Sequence, residues 1–148
     1  MNFFQKLTSL THRVVIVLAL VGMLGISFSA SAYAATPARF VFETPPASEQ
    51  FVIELTDESK IQQARNILSG TETNDIHVLG RIVKRPAPYN SKWSYQLDPA
   101  SISFFGYAIE VCDARIGYVE DHLDEVGGAF LPGAYWCPWN SRLVKEIQ

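Results

Sequence analysis

Phe40-Val41-Phe42-Glu43-Thr44-Pro45-Pro46-Ala47-Ser48-Glu49-Gln50-Phe51-Val52-Ile53-Glu54-Leu55 is the stretch on which the fold turns. Phe40–Phe42 and Phe51–Leu55 are short runs of aromatic and β-branched residues, and Thr44-Pro45-Pro46 separates them. Two strands joined by a proline-stiffened turn are the reading, because such side chains suit a pleated surface and proline cannot serve a sheet interior. Thr56 or Asp57 then offers an N-cap, Ile61, Ala64 and Leu68 share one helical face, and Gly70 supplies a stop. This spacing predicts a helix over 58–68.

Further along, Ile76–Lys84 resumes strand character until Pro86-Ala87-Pro88-Tyr89-Asn90 breaks it. Trp93, Tyr95 and Leu97 alternate with polar residues, the pattern of a half-buried strand paired with its predecessor across the proline loop. After Asp98-Pro99, the apolar run 102–112 reads as a central strand with a bend at Gly106, and a buried helix is the alternative. Asp113 as cap, Ile116, Val119, Leu123 and Val126 as stripe and Gly127 as stop predict a second helix over 114–126. Beyond it, Phe130, Leu131, Pro132, Gly133, Tyr135, Trp136, Cys137, Pro138 and Trp139 read as an aromatic loop too rich in proline and glycine for a regular element. Arg142–Lys145 closes the chain as an edge strand. The chain reads as one small α+β domain, mainly antiparallel sheet with two helices.

The amino-terminal end gives the compartment. Lys6 and Arg13, an apolar run from Val14 to Ile26 and Ala32-Tyr33-Ala34 before Ala35 form a secretory signal pattern over 1–34, with the domain over 35–148. The uncharged stretch Val14–Ala34 also has the length of an uncleaved anchor, which is the one membrane association the sequence offers. Cleavage takes two of the 12 Lys and Arg and none of the 15 Asp and Glu, leaving ten cations against fifteen anions, a net charge of −5. This balance argues against nucleic acid, whose phosphates call for clustered cations. Both cysteines, Cys112 and Cys137, lie in the exported part, and an even count in an oxidising compartment reads as one disulfide that anchors the aromatic loop. A catalytic thiol in Trp136-Cys137-Pro138-Trp139 is the alternative, paired with His77 or His122; no second cysteine follows closely enough for thioredoxin-like chemistry.

Candidate sites follow from unusual local chemistry. On one helix, Glu120, Asp121, Asp124 and Glu125 would form two like-charge pairs at i,i+4 in the half where the helix dipole disfavours anions. If Asp121, Asp124 and Glu125 bind a metal, Ca2+ is the ion that oxygen ligands suit, although the regular calcium loop is absent. His77, in an apolar strand, reads as a hydrogen-bonded core histidine. Tyr89, Tyr135, Trp136 and Trp139 are candidates for an outward recognition surface, since aromatic anchors carry much of the energy of protein and glycan contacts. Two functions result: a secreted or periplasmic module binding an extracellular protein or glycan, and a small hydrolase using Glu110, Asp113 or Asp121 with His122 as acid and base. The binding module is preferred, because so short a chain leaves little to build the walls of a cleft.

Ser101-Ile102-Ser103-Phe104-Phe105, Ile109-Glu110-Val111-Cys112-Asp113, Tyr118-Val119-Glu120-Asp121-His122-Leu123 and Trp136-Cys137-Pro138-Trp139 carry a resemblance. With these segments the chain resembles a small family of exported bacterial and slime-mould domains, similar to the amino-terminal domain of a slime-mould protein labelled calmodulin-binding. The resemblance covers about Phe40 to Val144 and implies a calcium-linked or protein-binding role, with no catalytic residues to carry over. The basic amphipathic helix that a calmodulin target needs is absent here, and the best amphipathic helix is acidic.

Overall fold

Alternation in Phe51-Val52-Ile53-Glu54-Leu55 puts Phe51, Ile53 and Leu55 on one face, and all three are fully buried. They lie on β2 (Gln50–Leu55), antiparallel to β1 (Ala38–Glu43), with Phe42 opposite Phe51 and Phe40 opposite Ile53. A computed structural model describes residues 36–46, 48–108 and 110–148; the leader expected over 1–34 lies outside them. On the other side of β1 runs β9 (Arg142–Ile147), the edge strand expected near the chain's end, giving the order β2-β1-β9. The register shifts between Val41 and Phe42, so that Leu143 stands opposite Phe42 and Lys145 opposite Val41. An unbroken register would set Val144 opposite Phe42; the shift turns Leu143 into the core and leaves Lys145 in solvent.

Helix α1 (Glu58–Ser69) follows the local signals closely. Asp57 accepts hydrogen bonds from the Ser59 and Lys60 amides at 2.8 and 3.2 Å, and Gly70 ends the helix at φ 77°. Ile61 and Ala64 face the core, while Arg65 straddles Glu146 at 3.0 and 2.7 Å and ties the helix to β9.

Strand β3 (His77–Val83) organises a second sheet of short antiparallel partners. They are β5 (Ser103–Phe105), β8 (Tyr135–Trp136) and β4 (Gln96–Leu97). Two of these are shorter than their sequence patterns. The run read as a strand over 102–112 leaves the sheet after Phe105, because Gly106 passes so close to the 72–75 turn that a Cβ there would lie 2.3 Å from the Asn74 carbonyl oxygen. Trp93 and Tyr95 are buried as expected but not on a strand. Trp93 Nε1–H instead donates to the Gln50 carbonyl at 2.8 Å, and the Asn90 side chain accepts from the Val52 amide at 3.1 Å. The proline loop thereby covers the free edge of β2.

Helix α2 (Ile116–Asp121) is half the length predicted. Stopping at Asp121 removes both i,i+4 repulsions, since Asp124 and Glu125 fall in the turn that follows. Its first turn is served by Glu49, whose carboxylate accepts from the Gly117 amide at 3.0 Å, rather than by Asp113. Glu120 holds the amide and hydroxyl of Ser94 at 2.9 and 2.6 Å, so this acid is a tether rather than part of a free face. The aromatic loop contains regular pieces after all: β7 (Phe130–Pro132) runs parallel to β6 (Val126–Gly127), and a turn with positive φ at Leu131, Gly133 and Ala134 leads into β8.

Trp136 is the centre of the core. Its ring centroid lies 5.4 Å from Phe51 and 5.7 Å from both Phe42 and Tyr95. The two polar tips in this cluster are satisfied: Trp136 Nε1–H donates to the Ala114 carbonyl at 2.9 Å and the Tyr95 hydroxyl to the Ile116 carbonyl at 3.0 Å. Burial pushes the Tyr95 phenol far up, so it stays neutral.

Surface carboxylates give the fold a pH dependence. Hydrogen bonds hold four of them below the usual range: Asp57 by the Ser59 hydroxyl, Glu72 by the Asn74 amide, Asp98 by Arg81 and Glu146 by Arg65. A carboxylate lowered in the folded state stabilises above its unfolded pKa of about 4, and that stabilisation is lost as pH falls through the folded value. The thermal midpoint is therefore expected to fall steadily below about pH 4, and Asp98→Asn with Glu146→Gln to flatten the slope. A scan of midpoint against pH checks this; a midpoint unchanged down through the acid range contradicts it.

Candidate functional site

Four links zip residues 112–114 to residues 136–139. They are the Cys112–Cys137 disulfide with 5.1 Å between Cα atoms, the Cys137 amide on the Cys112 carbonyl at 2.8 Å, the Trp139 amide on Asp113 Oδ1 at 2.9 Å, and the Trp136 indole on the Ala114 carbonyl. The disulfide expected from the cysteine count is thus present, which answers the free-thiol alternative. Around it Phe105, Cys112 and Cys137 form a small apolar cluster of their own, with Leu79, Ala108 and Trp139 packed against it. This second core is thin, and its outer layer faces solvent.

The exposed apolar side chains near this cluster form the candidate site. Tyr107 is 86% exposed and meets the half-buried Trp139 edge-on at 5.8 Å, while Val111, on the 3-10 turn Glu110–Cys112, is 61% exposed. Tyr118, 51% exposed on α2, stacks on His122 at 4.0 Å, and Phe130 meets the same pair edge-on. Three of the four large apolar side chains exposed among the described residues, Tyr107, Val111 and Tyr118, thus fall within one short segment. Sequence reasoning missed Tyr107 and Val111, because an exposed apolar residue inside an apolar run carries no periodic signal, and Tyr118, because it lies off the apolar stripe of its helix. The available clue was Gly106, a bend in the middle of a strand pattern.

The four aromatics expected to form one surface are divided. Trp139 joins Tyr107 as described. Tyr135 is 46% exposed on β8, opposite Arg81. Trp136 is a correction: it is fully buried, because strand alternation turns it inward where Tyr135 points out. Tyr89 is half-buried beneath the Arg39 guanidinium, 4.8 Å from its ring centroid, and donates its hydroxyl to Gln96 Oε1 at 3.1 Å; burial raises its pKa.

Among the described residues no three His, Cys, Asp or Glu side chains converge so as to hold a metal ion, and this includes Asp121, Asp124 and Glu125. The truncated helix is the reason, since it no longer presents these acids as one face. Two of the residues weighed for hydrolysis have other partners: Asp113 accepts from Trp139, and His122 Nδ1–H donates to the Tyr118 carbonyl at 2.9 Å. His77 is hydrogen-bonded, as its strand context suggests, donating from Nδ1 to the Ser141 carbonyl at 2.8 Å. It lines a shallow cleft of about 440 Å³ with Pro45, Pro46, Ile76, Asn140, Ser141 and Arg142. None of the hydrolase candidates lines that cleft.

No curated protein and no solved structure matches the chain. A family model does, over residues 36–148, the span that holds all three sheets, the disulfide and the aromatic surface. The chain belongs to the BP-74 N-terminal domain family.

Proposed function

We propose that this protein is a binding module that works outside the cytoplasm and takes a partner protein on the aromatic surface built over the Cys112–Cys137 staple. The observation that carries this reading is exposed Tyr107 meeting Trp139, with exposed Val111 next to Cys112, where four links hold residues 112–114 to residues 136–139. Exposed apolar side chains scattered singly need no explanation, but a contiguous group on a rigid base is what a hot spot requires. Val111 favours a protein over a glycan, because a sugar is gripped by ring faces and polar groups, whereas an exposed branched aliphatic contributes only through apolar burial. Export is supported by the leader pattern over 1–34 and by the disulfide, which persists in oxidising compartments. The likeness to a slime-mould protein labelled calmodulin-binding supports a protein partner in general.

A photo-crosslinking side chain in place of Tyr107, compared with one in place of the exposed Lys145 on β9, tests the reading in the producing cells and their medium. A discrete adduct from position 107, absent from position 145 and lost on Val111→Asp, is the expected result. Identical adducts at both positions, or none from 107, overturn it.

A further inference from the structure

We infer that the partner is cationic, a basic segment carrying apolar anchors, and that it lies along one continuous face from Tyr107 and Trp139 to Tyr118 and Phe130. The inference rests on the binding-module reading and adds the chemistry of the partner. Continuity comes from packing: β7, which carries Phe130, lies against the Glu110–Cys112 turn that exposes Val111. Phe130 then meets Tyr118 at 5.5 Å and His122 at 6.1 Å, so the apolar surface passes from the disulfide to α2.

Charge supplies the second half. Residues 110–125 contain six carboxylates against one cation, Arg115. Asp113 and Glu120 are engaged with Trp139 and Ser94. Glu110, Asp121, Asp124 and Glu125 are exposed on the same stretch of chain that carries Val111 and Tyr118. Lys84, from outside this stretch, bonds the Asp124 carbonyl at 3.1 Å. Acids spread in this way do not converge on one ion; they create a negative field that several Lys or Arg side chains of one partner satisfy together, while its apolar residues cover the rings.

The test uses a synthetic peptide alternating Lys with Leu, a second with Glu for every Lys, and a third with Ser for every Leu. The full exported protein is expected to bind the first alone, with affinity falling about tenfold from low to high salt, and with the resonances of Tyr107, Tyr118 and Phe130 shifting. Asp121→Lys, Asp124→Lys and Glu125→Lys together should weaken that binding at least about tenfold while leaving the thermal midpoint in place. Equal binding of the Glu peptide, an unchanged affinity in the triple variant, no binding at all, or shifts elsewhere would overturn the inference. The two readings fail separately: if the adduct from position 107 persists in the triple variant, the module stands and the cationic partner falls.

Discussion

Trp136→Ala is expected to lower the stability of the domain by about 4 kcal/mol, the loss typical of a large aromatic removed from a close-packed site. Trp136 is fully buried and touches Phe42, Phe51 and Tyr95, so the cavity opens where the two sheets meet, among rings too rigid to collapse into it. The Ala114 carbonyl also loses its donor, leaving a partly buried acceptor to find water. Against a total of about 5–15 kcal/mol for a domain of this size, such a loss populates the unfolded chain at physiological temperature. Trp136→Phe keeps most of the volume and should cost about half as much, chiefly through the missing indole donor. Urea unfolding followed by far-ultraviolet circular dichroism reads both; a Trp136→Ala midpoint equal to that of the parent would show that the cluster is not the core.

The same tryptophan shows where sequence reading stops. Trp136 and Trp139 are three residues apart in one aromatic run, and their types give no hint that one is the centre of the core and the other its rim. What separates them is β8, a two-residue strand whose pairing with Gly80 and Arg81 depends on a segment far away in the chain. By contrast the β1–β2 hairpin and α1 were legible, because their turn, cap and stop are local in the chain: Pro45-Pro46, Asp57 and Gly70. The shortened α2 lay between these cases. Its apolar stripe suggested a long helix, and the clashing acids at 120, 121, 124 and 125 were the local evidence that it must stop. The same acids also suggested a metal site, and the contacts that hold the short helix, the tether from Glu120 to Ser94 and the cap from Glu49, come from distant segments that no local pattern announces. For Tyr107 and Val111 the bend at Gly106 was the one local clue, and it could not say which side chains would face solvent, since exposure is a property of the fold and not of the residue.

Replacing Cys112 and Cys137 together by Ser is expected to cost about 3.5 kcal/mol, the chain-entropy value for a closed loop of this length, and to lower the midpoint by on the order of 15 °C. The two cysteines are 25 residues apart, and the staple acts by restricting the unfolded chain. The folded state keeps the Cys137 amide on the Cys112 carbonyl, the Trp139 amide on Asp113 and the Trp136 indole on Ala114, so the double variant should remain folded at room temperature. Reductant should lower the parent's midpoint to that of the variant and leave the variant unmoved, which separates the bond from any effect of the serines. This origin also dictates how the two losses combine. Trp136 adjoins Cys137, and neighbouring changes usually couple. If the staple acts on the unfolded chain, its removal costs the same in a Trp136→Phe background as in the parent. If it acts by pressing the 136–139 segment onto the core, the increment shrinks once the tryptophan is gone. Scanning calorimetry of the four proteins in this cycle decides between them, and a coupling energy near zero is the expected result.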